Sequence, residues 1–142
     1  MAINFQTTNP AQLNDRVTEL QIALVLDETN AAAGASGTAK LYTAAGAIQT
    51  FGTVLLKTGT AGAMTLALPA AGAQPAGQDG VHLSIVALDA EAYVVTTPAN
   101  GINGADDTMT WAAAIGNSIE LIAYNGGWVT FLTSKGITLS EV

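Results

Sequence analysis

Residues 53–87 read TVLLKTGTAGAMTLALPAAGAQPAGQDGVHLSIVA, and the spacing of apolar residues in this stretch decides the fold class. The β-rich run TVLLK leads through Gly59 and Gly62 into Met64-Thr65-Leu66-Ala67-Leu68, which alternates until Pro69, a residue with no amide proton to continue a ladder. The segment AAGAQPAGQDG has turn composition, and beyond it Val81, Leu83 and Ile85 resume a period of two with His82 and Ser84 on the opposite face. Two strands joined by a wide loop is the simplest reading.

Working outward, the same character begins at Lys40 and continues to the C-terminus. The runs LYTA, AIQTFGTVLLK, AYVVTT, TMTWAA, SIELIAY, GWVTFLT and GITLSEV are separated by Gly, Asn, Asp and Pro. With the central stretch they make about eight strands at the spacing of a β-sandwich or barrel. Asn125-Gly126-Gly127 predicts a tight hairpin, because Asn-Gly supplies the two positive φ angles of a type I′ turn. Residues 99–104, ANGING, and Ile115-Gly116-Asn117-Ser118 predict two looser turns. The expectation is a mainly β protein, an antiparallel sandwich or barrel over residues 40–142, preceded over 1–39 by an arm, a short helix and a linker.

In that N-terminal part Ile3 and Phe5 alternate as in an extended arm. Asn9-Pro10-Ala11-Gln12 has the order of a helix start: cap residue, proline in the first turn, and glutamine placed to close a capping box. Leu13, Val17, Leu20 and Leu24 then follow at spacings of four, three and four, with Arg16 and Glu19 flanking the seam and Ile22, Val25 and Leu26 widening it. Three readings stand: a helix packed on its own domain, a short self-associating helix, and a strand, since Thr18, Leu20, Ile22, Leu24 and Leu26 also alternate. The small-residue run AAAGASGTA reads as a linker.

Composition limits what such a body can do. In 142 residues only 11% are charged while 49% are hydrophobic, a balance suited to a protein that meets neighbours over much of its surface. A net charge of -7 with no basic cluster argues against nucleic acid as the partner. There is no cysteine for a disulfide or thiolate, and no apolar run reaches the length of a membrane-spanning helix. With so few charges to guard sheet edges, pairing between subunits is the expected protection.

Chemistry-bearing patterns are sparse. His82 is the single histidine and reads as a strand residue on the polar side, with no nucleophile elbow to serve. Asp106-Asp107 lacks the spacing of a calcium loop and reads as a solvated turn. Asp89 and Glu91 read as a charged outer strand face rather than paired glycosidase acids. None of the glycine-rich segments has the lysine and Ser/Thr of a phosphate loop. Trp111 and Trp128 read as core anchors, with subunit or partner contact as the alternative. No catalytic, cofactor or metal site is expected.

The succession GAMTLALP, DGVHLSIVAL, AYVVTT, SIELIAYNGGWVTF and GITLS, covering roughly residues 51–139, resembles the small β domains of tailed-phage virion proteins, especially capsid decoration (cement) proteins. That resemblance implies a jelly-roll-like, non-enzymatic protein on the exterior of the capsid. It would bind the major capsid protein, as a homotrimer, with no nucleic acid or membrane partner. Ile3, Phe5, Leu13, Val17, Leu20, Leu24, Trp111 and Trp128 are the candidate subunit or capsid contacts. A second class, the receptor- or glycan-binding module of a phage head or tail fibre, would need aromatics such as Tyr42, Tyr93, Tyr124 or Trp128 exposed together on one surface.

Overall fold

The alternating runs become ten strands in the computed structural model, which describes residues 39–132 and 134–142. The first sheet has the order β1 (Ala39–Tyr42), β3 (Gly52–Leu56), β5 (His82–Ala87), β8 (Ser118–Tyr124), β9 (Gly127–Thr130). The second has the order β10 (Ile137–Ser140), β7 (Thr108–Trp111), β6 (Tyr93–Thr96), β4 (Gly62–Leu66), β2 (Gly46–Ile48). Each sheet has two ends, so neither closes into a barrel. The expected helix and arm, with Ile3, Phe5, Leu13, Val17, Leu20 and Leu24, lie outside the described residues.

Strand direction departs from the antiparallel, jelly-roll-like expectation. From β1 to β6 the chain passes from one sheet to the other at every connection, and in each sheet the three strands so formed run parallel. Parallel neighbours need a crossover, and here a strand of the facing sheet supplies it. Only β7 to β10 add antiparallel ladders, β6 with β7, β7 with β10, β5 with β8 and β8 with β9. A period of two says which face a residue occupies and nothing about the neighbour's direction. The same limit explains why AIQTFGTVLLK, one run in the sequence, is two strands in different sheets. Gln49 donates its side-chain amide to Phe51 O (2.7 Å) and Thr53 O (3.2 Å), and Gly52 takes φ 73°, so the chain turns between them.

The inward sides of both sheets form one hydrophobic cluster containing Val54, Leu56, Met64, Leu83, Ile85 and Leu121. Fully burying one such side chain stabilises by about 1.5–3 kcal/mol, against about 0.2–1 for a surface cross-strand pair, so inward alternation fixes the register. Trp111 and Trp128, each 1% exposed, are the largest members, which fits their reading as core anchors and leaves neither side chain any surface for a partner.

One end of the body is closed by loops. The Asn125-Gly126 turn joins β8 to β9 with φ of 48° and 80°, as the sequence predicts for type I′. The wide loop 67–81 is tied down beside it: Gln78 N donates to Ala70 O, Gln78 Oε1 accepts from Ala70 N, and Asp79 Oδ1 accepts from Asn125 N, all at 2.8 Å. The loop between β6 and β7 lies along β9, with Trp128 N donating to Gly101 O (2.8 Å) and Asn103 N donating to Trp128 O (2.7 Å). That edge of the first sheet is therefore covered by the protein's own chain.

Candidate interaction surface

The two outward sheet faces differ sharply in chemistry. On the second sheet the aligned outward positions are Ala47, Thr65, Thr96, Thr108 and Ser140 in one row and Ala63, Val94, Thr110 and Thr138 in the next. Most of these small side chains and hydroxyls are open to water; Thr108, 6% exposed, is buried and donates to Asp107 instead. On the first sheet the outward rows are Leu41, Leu55, Val86 and Ser118; then Thr53, Ser84 and Glu120; then His82, Ile122 and Val129. Phe131 continues the Glu120 row, its amide donating to Glu120 O at 2.9 Å.

This face sets apolar rows on either side of the polar row Thr53, Ser84 and Glu120, and it is partly open. Leu41 is 48% exposed, Phe131 53% and Tyr124 66%, and the ring of His82 meets that of Phe131 edge-on at 5.1 Å. Glu120 is the one carboxylate at its outward positions, and it accepts a 2.7 Å hydrogen bond from Ser84 Oγ. Five strands at ~4.8 Å spacing and strands some five residues long give the whole face, polar row included, a footprint of roughly 300–400 Å². Sequence reading missed Leu55, Val86, Ile122, Val129 and Phe131. A signal was present: TVLLK, LSIVA and ELIA carry apolar residues at both parities, the mark of a strand with two covered faces.

The predicted chemistry-bearing residues do not converge. His82 stands on the apolar face, on the outward side as expected. Asp89 and Glu91 are not on a strand; they lie in the connection between β5 and β6. There the Asp89 carboxylate accepts from Gly59 N (2.9 Å) and from Tyr93 Oη, while Thr58 N donates to Tyr93 Oη at 3.1 Å. Burial alone would raise the Asp89 carboxyl, but the hydrogen bonds from Tyr93 and Gly59, with Lys57 nearby, outweigh it and hold it below the ordinary 3.8. Burial and then the bond to Asp89 push the Tyr93 phenol above 10.0, against the bonds donated by Thr58. These groups lock two connections together. Asp107 accepts from Thr108 Oγ1 (2.8 Å) and Val142 N (3.2 Å).

Among the described residues no group of three or more His, Cys, Asp or Glu is placed to hold a metal ion. A shallow hollow of about 360 Å³ at the ends of β2, β4 and β6 is lined by Ile48, Leu66, Thr97 and Pro98 among others, with no ionisable side chain in its wall. Of the four aromatics a glycan site would draw on, Tyr93 and Trp128 are buried, Tyr42 is half-buried and only Tyr124 is exposed. The chain matches no protein-family model and no curated protein.

Proposed function

We propose that this is a structural virion protein that sits on the outside of a phage capsid and cements it, bridging neighbouring capsomers as a homotrimer. The observation that carries the reading is the outward face of the first sheet, where Leu41, Leu55, Val86, Ile122, Val129 and Phe131 stand among few charges, Glu120 and Lys135, on a body whose carboxylates Asp79, Asp89 and Asp107 fasten loops. Such a face suits assembly better than turnover. The strand and turn succession over residues 51–139 supplies the link to decoration proteins, and a mainly β body of two mixed five-stranded sheets is compatible with it.

The mechanism is linkage. A protein that binds only the assembled lattice stabilises that lattice by the free energy of its own binding, and three linked copies add avidity because each later contact forms at high effective concentration. The major capsid protein is the partner, and the N-terminal segment joins copies to each other or to the shell. Of the four aromatics the fibre reading draws on, Tyr42, Tyr93, Tyr124 and Trp128, Tyr124 alone is exposed.

Cosedimentation with empty shells and with unassembled capsid protein, alongside mass by light scattering, tests this. The expected result is a trimer that pellets with shells only and leaves them more resistant to heat. A monomer that ignores shells, or a protein that captures a glycan instead, overturns it.

A further inference from the structure

We infer that the apolar outward face of the first sheet is the seat of residues 13–26 of this same chain, delivered either by the chain's own N-terminal part or by that of a neighbouring copy. This goes beyond the assembly reading and stands apart from it, since a seat filled by the chain's own segment needs neither a second subunit nor a shell.

Three observations point to that occupant. The first is position: the described chain starts at Ala39, the first residue of β1, which is an edge strand of this very sheet. Residues 27–38 can span about 40 Å when extended, roughly twice the ~19 Å from the first to the fifth strand, so residue 26 can reach any point on the face.

The second is chemistry. Residues 13–26, LNDRVTELQIALVL, carry seven apolar side chains of Leu, Val and Ile size. The inner cluster is already filled from both sheets, with Leu83, Ile85 and Leu121 at 0% exposure, so those side chains have no place there. Leu41, Leu55, Val86, Ile122, Val129 and Phe131 offer matching apolar area on the outside. The face is also about half the size that one partner contributes to a standard protein interface, which fits a single segment better than a second whole domain.

The third is charge. Glu120 is the only carboxylate at the outward positions of the face, and Arg16, the only arginine in the chain, flanks the Leu13-Val17-Leu20-Leu24 series. Seating the segment brings Arg16, with Asp15 and Glu19, to a face that holds Glu120 and, beside Ser118, Lys135, so each sign on one side has an opposite sign on the other to pair with.

The absence of cysteine makes the test clean, because any introduced pair holds the only thiols. In the full-length protein, Val17→Cys is combined with Ile122→Cys on this face or with Thr110→Cys on the hydroxyl face, and disulfide formation is followed on non-reducing gels. The first pair is expected to close at least about tenfold faster than the second, since a seated segment raises the local thiol concentration. A faster-running monomer identifies the chain's own segment and a covalent ladder identifies a neighbour's; both uphold the seat. Equal rates, no closure, or efficient dimers of Ile122→Cys alone overturn it, the last assigning the face to a second copy. Arg16→Glu should slow closure several-fold and added Glu120→Arg should restore it; loss without restoration also counts against the seat. Because no shell is present, the capsid reading can fail while this result stands.

Discussion

The indole Nε1 of Trp128 donates to the carbonyl of Ala67 at 3.0 Å, fastening the start of the wide loop to the far end of the first sheet. Trp111, equally buried, has no hydrogen-bond partner for its Nε1 among the described residues. The two tryptophans therefore respond differently to the same change. Trp128→Phe loses ring volume and a hydrogen bond, while Trp111→Phe loses similar volume but sheds an unpaired buried donor. A net hydrogen bond is worth about 1 kcal/mol and an unmet buried donor costs about 1–3, so Trp128→Phe should be the more destabilising by at least about 1 kcal/mol. Urea unfolding of the two variants measures it; equal losses would mean that the Ala67 bond adds nothing.

The Tyr93 and Asp89 pair makes stability depend on pH at both extremes. The folded carboxyl lies below its ordinary 3.8, so the unfolded chain binds the proton first as pH falls; the contribution is whole above about pH 4 and is lost as pH drops through the folded value. The folded phenol lies above 10.0, so its contribution is whole below pH 10 and is lost as pH rises through the folded value. Asp89→Asn should flatten the acid limb of stability against pH, and Tyr93→Phe both limbs, with Tyr93→Phe costing about 1–2 kcal/mol at neutral pH. Denaturation midpoints from pH 2 to 11 provide the readout, and a wild-type acid limb in Asp89→Asn would refute the assignment.

Gly101 is a close-approach site. A Cβ there would stand 2.4 Å from Thr97 Oγ1 and 2.8 Å from both Leu68 Cδ2 and Pro98 O, and backbone cannot yield as a flexible side chain can. Its carbonyl receives the Trp128 amide, so displacement opens the covered edge of β9. Gly101→Ala is expected to cost about 1–3 kcal/mol, the usual penalty of overpacking. Hydrogen exchange should speed up at the amides of Trp128 and Asn103 ahead of those in β5. Uniform acceleration would instead mean global loss.

Strand content was legible because Val81, Leu83 and Ile85, or Met64, Leu66 and Thr65 between them, show their parity directly, and Asn125-Gly126 specifies its own turn. The winding was not legible. Val54 aligns with Ile85, and Met64 with Val95, through long crossovers by way of the facing sheet, and neither alignment leaves a trace in local sequence. Asp89 and Glu91 have strand-like spacing, yet Asp89 is held in a connection by hydrogen bonds from the nearby Tyr93 and from Gly59, thirty residues earlier, which the spacing does not show. The apolar outer face was written in Leu55, Val86 and Ile122, but a side chain off the alternating parity looks the same whether a partner covers it or water does.

The contrast between the two outward faces yields the sharpest test of function. Phe131 is half-exposed on the apolar face and Thr110 is exposed on the hydroxyl face, so a carboxylate at either position can remain in water when the protein is a monomer. Surface changes of this kind usually move stability by no more than about 0.5 kcal/mol. Burying the new charge against a partner is far more costly, because an unpaired carboxylate loses its hydration. Phe131→Asp should therefore lower subunit association or shell occupancy at least tenfold, equivalent to about 1.4 kcal/mol, while Thr110→Asp leaves both unchanged. Light scattering and cosedimentation report the two quantities, and unfolding curves confirm that both variants remain folded. If Thr110→Asp is the variant that fails, assembly runs through the hydroxyl face and the assignment made for the first sheet is wrong.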